Sequence, residues 1–385
     1  MARAKSDRTI AVANGIAADK AFGAVTPPLY LSSNFAFSKF EQSQDYEYSR
    51  TSNPTRDILA DTLAKLEGGS GAVVTPTGMS AIHLLLSRVP AGGLVVAPHD
   101  CYGGTYRLLA ALKERQQLDV VFVDQSDSAV LTSAFQREPS LVWVETPSNP
   151  LMRVVDIRGI VELAGGWNVK VVVDNTFLSP ALQQPLGLGA DYVVHSTTKY
   201  LNGHSDVVGG AIVDSDPSEV EALRSWANIT GATGSPFDSY LTLRGVRTLF
   251  ARVERQQSSA LVIADFLAQH PAVSAVHYPG LPSHPTHGIA ARQQKGWGAM
   301  LSFELKGGIE AVRPFVASLG IFTLAESLGG VESLVAHPST MTHAGMSIET
   351  RRLAGITDGL LRMSVGLEAE EDLIDDLTQS LSLIA

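Results

Sequence analysis

Short apolar runs recur along the chain at residues 72–74, 94–97, 120–123, 141–144, 170–173 and 192–194, each bounded by glycine, proline or polar clusters. Runs this short, apolar at every position and rich in valine, read as strands buried on both faces, as in a parallel sheet. Between them lie stretches whose apolar residues recur at helical spacing, such as 80–88 and 106–113. Strand and helix in alternation predict an α/β fold with a large, mostly parallel sheet covered on both faces.

The flanks have a different texture. Residues 1–52 carry Thr26-Pro27-Pro28 and scattered aromatics (Tyr30, Phe35, Phe37) without sustained periodicity, which predicts an extended arm. Such an arm cannot bury its aromatics alone, so a second subunit is the expected contact. A helical pattern starts at Asn53-Pro54 (Ile58, Leu59, Leu63, Leu66) and stops at Gly68-Gly69. Beyond Pro236, the spacing of Leu241, Val246, Leu249, Val253, Leu261 and Phe266 predicts one long helix over 238–270, ended by Pro271 and linking two domains. Residues 273–278, 300–305 and 360–366 then read as strands. The clean alternation of 300–305 suits a half-solvated antiparallel sheet. A helix over 371–383, with Leu373, Ile374, Leu377 and Leu381 on one face, closes the chain. The predicted organisation is an arm (1–52), an α/β domain (53–257) and a smaller α+β domain (258–385).

Composition narrows the partners. With 385 residues, 45% of them hydrophobic and 18% charged, the chain is ordinary globular material. A net charge of −10 argues against nucleic acid and anionic membrane surfaces. No apolar run approaches the ~18 residues of a membrane span, and the amino-terminal MARAKSDRTIAVANG lacks the apolar core of a signal peptide. The single cysteine, Cys101, excludes an intrachain disulfide, and it reads as a packed hydrophobe in a cytoplasmic protein.

The chemistry concentrates between residues 170 and 204. Asp174 follows one predicted strand; Lys199 follows the next, behind Ser196, Thr197 and Thr198. Side chains at the carboxyl ends of such strands line the ligand crevice of open α/β sheets. Either residue alone reads as an ordinary turn or loop residue. Together they suit pyridoxal phosphate: a lysine for a Schiff base, hydroxyls for phosphate, and a carboxylate to hold a ring nitrogen protonated. The segment Thr75-Pro76-Thr77-Gly78-Met79-Ser80 joins a strand to a helix, where free N–H groups and Gly78 can cradle an anion. Tyr102, before Gly103-Gly104, can stack on a flat ring, although a rim or core role fits its local sequence equally well. Arg50, Arg107 and Arg362 can take anionic groups in bidentate fashion. Arg362 interrupts an apolar strand, either as a clamp or as a residue of its solvent face, and the two readings stand level. His284 and His287 read as solvated loop residues and not as a zinc site. Gly187-Leu188-Gly189 precedes a strand and is no dinucleotide fingerprint.

The motifs TPTGMSAIHL, APHDCYGGTYRL, ETPSNPL, DNTFLSP, HSTTKYLNGHSDVVGG and FTLAESLGGVESL together resemble the transsulfuration enzymes among the fold type I pyridoxal-phosphate proteins, from about Ala11 to the carboxyl terminus. The resemblance implies a large sheet domain of the seven-stranded type, an amino-terminal arm and a smaller carboxyl-terminal domain. It implies that Lys199 forms the Schiff base and shuttles protons, that Asp174 pairs with the pyridinium nitrogen and that Tyr102 stacks on the ring. Gly78, Met79, Ser196 and Thr198 would bind the phosphate. Tyr48 and Arg50 would reach the phosphate of a neighbouring subunit within a homotetramer built from two dimers. Arg362, Asn149 and Ser327 would clamp the substrate α-carboxylate, with Arg107 and Glu326 at its distal end. The implied reaction is a γ-replacement joining an O-acyl-L-homoserine, expected to be the succinyl ester, with L-cysteine to give L-cystathionine for methionine biosynthesis. γ-Elimination from cystathionine and the use of sulfide are the neighbouring activities. Thr51 stands where a second arginine follows Tyr-Ser-Arg in some members, whereas Trp226-Ala227-Asn228 and CYGGTYRL match the members that carry out replacement.

Overall fold

The computed structural model describes residues 5–384; the first four residues of the arm and residue 385 lie outside it. All six short apolar runs form strands: β1 (Gly71–Thr75), β2 (Leu94–Pro98), β3 (Asp119–Val123), β4 (Leu141–Glu145), β5 (Lys170–Asp174) and β6 (Tyr192–Ser196). A further strand, β7 (Gly210–Asp214), completes a seven-stranded sheet in the order β1-β7-β6-β5-β4-β2-β3. Strand β7 runs antiparallel to both neighbours, β1 and β6, while the pairings from β6 across to β3 are parallel. Alternate residues of each strand enter different cores. Trp143, Val172 and Val194 pack with Ile82, Leu85 and Leu109 of helices Gly78–Leu86 and Gly103–Glu114, while Val171 and Val173 pack with Ile157 and Ile160 of helix Ile157–Gly165. Burial on both faces is why the runs are apolar at every position.

Helix Pro54–Glu67 starts and stops where its sequence signals lie. The Asn53 side chain accepts from the N–H groups of Thr55 and Arg56, Pro54 occupies the first turn, and Gly68 takes the left-handed conformation (φ 76°) that ends it. The arm departs from expectation in one place: Asp7–Ala13 is a helix, seated on the main core through Ala11 and Ile10. The rest of the arm is irregular and exposes Phe22 and Phe40, at 95% and 90%.

The long helix expected over 238–270 is two helices, Pro236–Val246 and Leu249–Gln269. The first ends against the segment that follows Lys199. A Cβ on Gly245 would come within 2.0 Å of the Asn202 carbonyl oxygen, so only glycine allows that approach. The second helix runs uninterrupted through residues 257 and 258, across the expected domain boundary. Beyond it, β8 (Val273–His277), β9 (Met300–Leu305), β10 (Thr323–Leu324), β11 (Leu334–Ala336) and β12 (Leu360–Ser364) form a second sheet in the order β10-β11-β12-β9-β8. The alternation in β9 does not make it half-solvated: every residue but Glu304 is buried. Leu301 and Phe303 enter the main core, and on the opposite side the Ser302 hydroxyl donates to the Pro150 carbonyl at 2.6 Å. The second face therefore meets the large-sheet region and not water. A single apolar cluster holds Leu63, Val193, Leu243, Leu301, Phe315 and Leu377, drawn from both sheets and their helices.

Candidate active site

The carboxyl ends of β4, β5 and β6, together with residues from the second sheet, enclose a cavity of about 470 Å³. Asp174 closes β5, and the chain after β6 turns Lys199 into the same space. Thr176 organises both strand ends: its N–H donates to Asp174 Oδ1 at 3.0 Å, and its hydroxyl accepts from the Ser196 N–H at 2.9 Å. Burial raises the Asp174 carboxyl, opposed first by the hydrogen bonds from Thr176 and then by the imidazole of His195.

The anion cradle follows β1. Thr77 caps helix Gly78–Leu86, its hydroxyl accepting from the Ser80 N–H at 2.8 Å. A Cβ on Gly78 would lie 2.9 Å from Ser196 Cβ, so the missing side chain is what brings the helix N-terminus against the end of β6. Met79, Ser196 and Thr198 line the cavity beside it, with the Thr198 hydroxyl held by the Gly209 N–H at 3.0 Å. Tyr102 faces the cavity from the start of helix Gly103–Glu114. A Cβ on Gly104 would come 2.4 Å from its ring, which accounts for the glycine there.

Lys199 is held from the other side. Its Nζ donates to Ser327 Oγ at 2.7 Å, and burial, followed by the charge of Arg362, brings its amine down from the ordinary 10.5 to about 8. Ser327 has a φ of 83°, in the left-handed region that a non-glycine residue enters only when its surroundings hold it there. Its carbonyl accepts from Arg362 Nη2 at 2.8 Å, and Arg362 Nη1 donates to Asn149 Oδ1 at 3.1 Å. At 3% exposure Arg362 does not belong to a solvent face. Burial lowers its guanidinium to about 10 while leaving it charged at neutral pH, and its buried Nε has no protein partner. A carboxylate is the chemistry that such a fork accepts. Arg107 and Glu326 line the same cavity with exposed side chains.

Two of the expected residues lie elsewhere in this chain. Arg50 donates to the Asn228 carbonyl and side chain at 2.7 and 3.0 Å, its guanidinium over the Tyr48 ring, and neither residue lines the cavity. His284 is not solvated: it is buried, with Nδ1 3.2 Å from the Thr286 hydroxyl, and burial lowers its imidazole to about 4. His287 stacks on Trp297. Cys101 is buried, and burial pushes its thiol well up. Sequence reasoning missed Glu145, Thr176, Met341 and Thr342, all of which line the cavity. Thr176 had a signal, a hydroxyl two residues beyond a strand-end aspartate; Met341 and Thr342 arrive from a loop with none.

The donor set fits pyridoxal phosphate: a glycine-lined helix N-terminus with hydroxyls for the phosphate, Asp174 for a protonated ring nitrogen, and an amine more easily deprotonated than an ordinary lysine for the aldehyde. Fold and site thus define a fold type I pyridoxal-phosphate enzyme. The chain belongs to the Cys/Met metabolism PLP-dependent enzyme family, whose sequence pattern matches residues 8–382. It is 55% identical over 374 residues to the cystathionine gamma-synthase of Escherichia coli K12, covering 97% of each chain. It superposes with a TM-score of 0.98 on cystathionine gamma synthase from Xanthomonas oryzae pv. oryzae in complex with cystathionine, at 55% identity over 99% of this chain and 98% of that one. Cystathionine gamma-lyase from Lactobacillus plantarum, complexed with L-serine, superposes with a TM-score of 0.95 at 39% identity, covering 99% of each chain.

Proposed function

We propose that the protein joins O-succinyl-L-homoserine and L-cysteine by γ-replacement, forming L-cystathionine and releasing succinate. The observation that carries the reading is the Lys199–Ser327–Arg362 arrangement, in a chain more alike to gamma-synthases than to the gamma-lyase across its whole length. When bound, pyridoxal phosphate supplies the electron sink for carbanions. Arg362, braced by Asn149 and Ser327, holds the substrate α-carboxylate. Lys199, an amine brought down to about 8, is available in neutral form to take the Cα proton and, once it has passed that proton on, a Cβ proton as the acyl carboxylate leaves Cγ. The sulfur of cysteine adds to Cγ, and the protons return from Lys199 in reverse order. Ser327 keeps Nζ near the reacting carbons between transfers. Arg107 and Glu326, at the open end of the cavity, suit the distal groups of the two substrates.

The exposed aromatics of the arm support a homotetramer in which Tyr48 and Arg50 complete the phosphate cradle of a neighbouring subunit. The enzyme is read as cytoplasmic, in keeping with its single buried thiol. No helix of the described residues is long and apolar enough to cross a membrane.

The purified holoenzyme should form cystathionine from O-succinyl-L-homoserine and L-cysteine faster than it releases 2-oxobutanoate from cystathionine. The opposite ranking would assign it to γ-elimination. Lys199→Ala should abolish both turnover and the visible band of the bound cofactor.

A further inference from the structure

Glu145 ends β4 directly beside the end of β5, in register with Asp174, and lines the cavity at 7% exposure. Two carboxyl groups on paired strand ends each raise the cost of ionising the other. Their surroundings decide which keeps the proton. Asp174 receives two hydrogen bonds from Thr176 and has the imidazole of His195 nearby, all of which favour its anion. Glu145 accepts backbone N–H groups but also faces Asp174 and Asp100. Its burial, followed by the charge of Asp174, pushes its carboxyl well up. These surroundings favour the proton on Glu145 over Asp174. The same carboxyl group also fixes local geometry. Its Oε2 accepts the N–H of Tyr102 at 2.7 Å, at the cap position of a helix that has no side-chain cap of its own.

We propose that Glu145 is a positioning residue, a neutral carboxylic acid that anchors Tyr102 against β4 and leaves Asp174 as the single anion for the cofactor's ring nitrogen. The inference rests on the reading of this cavity as the pyridoxal-phosphate site. An ionised Glu145 would put a second negative charge at the end of the sheet; a neutral one keeps the acceptor for the Tyr102 N–H without that charge. Glutamine keeps the acceptor and is neutral, whereas alanine removes the acceptor.

The test titrates apoprotein with pyridoxal phosphate. Glu145→Gln should hold the dissociation constant within about threefold of the parent, whereas Glu145→Ala and the control Asp174→Asn should each raise it about tenfold or more. A tenfold loss in Glu145→Gln would overturn the proposal, since it would mean that the charge of Glu145 is needed. No loss in Asp174→Asn would overturn the site assignment and this inference with it. An independent measurement needs no variant to fold. Infrared spectra of parent apoprotein carrying ¹³C-labelled glutamate should show, at neutral pH, a carboxylic-acid C=O band shifted by the label. Its absence would refute a protonated Glu145.

Discussion

Lys199 makes the apoprotein's stability depend on pH with a sign opposite to that of a salt-bridged lysine. Its amine is brought from 10.5 to about 8 in the fold, chiefly by burial and then by Arg362. Below about pH 8 the lysine is charged both folded and unfolded, and the fold bears the full cost of a buried ammonium. Between 8 and 10.5 the unfolded chain binds a proton that the folded one does not, so stability rises with pH. Above 10.5 both forms are neutral and the cost is gone. At about 1.4 kcal/mol per pH unit, the ceiling is about 3 kcal/mol. With an unfolding entropy of about 2.1 cal/mol/K per residue, that corresponds to about 4 °C in the melting temperature of a chain this long. Lys199→Met removes the titration while filling the same space. Apoprotein of parent and variant should be melted at pH 6.5 and pH 10 by circular dichroism. The variant should gain about 3 °C on the parent at the lower pH compared with the gap at the higher one, since pH 10 stops short of the full titration. The lost hydrogen bond to Ser327 is absent from the variant at every pH, so the comparison between the two pH values largely removes it. A gap of equal size at both values would refute the reasoning.

Two further outcomes follow from buried polar groups. Arg362→Lys keeps the charge but cannot span Asn149 and Ser327 with a planar fork, so KM for O-succinyl-L-homoserine should rise by about tenfold or more while cofactor affinity stays near the parent value, checked by steady-state kinetics and a cofactor titration. Glu67 and His195 form a fully buried pair, with Oε1 and Nε2 2.7 Å apart and the Asn175 amide donating to the same oxygen at 2.8 Å. His195→Leu should cost about 1–3 kcal/mol by leaving Glu67 Oε1 buried and one hydrogen-bond partner short. The double variant with Glu67→Leu should recover most of it in urea denaturation.

The alternation of apolar runs and helical stretches made the large sheet legible, because a strand buried on both faces writes its burial at every position. The direction and position of β7 were not legible. Its sequence, GAIVD, begins at the second glycine of HSDVVGG and resembles the other runs, but nothing local says that it inserts antiparallel between β1 and β6. The break between Val246 and Leu249 was hidden because the apolar spacing continues across it; just before the break Gly245 meets Asn202, 43 residues away. Asp174 and Lys199 could be found from strand ends alone. Glu145 could not, because no lysine on the next strand end marks it out as Lys199 marks out Asp174; only the paired strand brings a second carboxyl beside it. Arg362 was ambiguous for a related reason. Alternation in a strand reports which residues differ, and here both faces of β12 are buried.

The continuity of the core across the two sheets bears on how such an enzyme can be recombined. A crossover between relatives near residue 257 would divide helix Leu249–Gln269, in which Arg252 donates to the carbonyl of Tyr200, next to Lys199, at 2.8 Å, and Gln256 to the carbonyl of Gly330 at 2.7 Å. Each half of a chimera would then have to mesh with side chains that had never been selected together. Exchanges confined to the rim around Arg107 and Glu326 leave that packing intact, which makes the rim the part of this scaffold where a new substrate is easiest to accommodate.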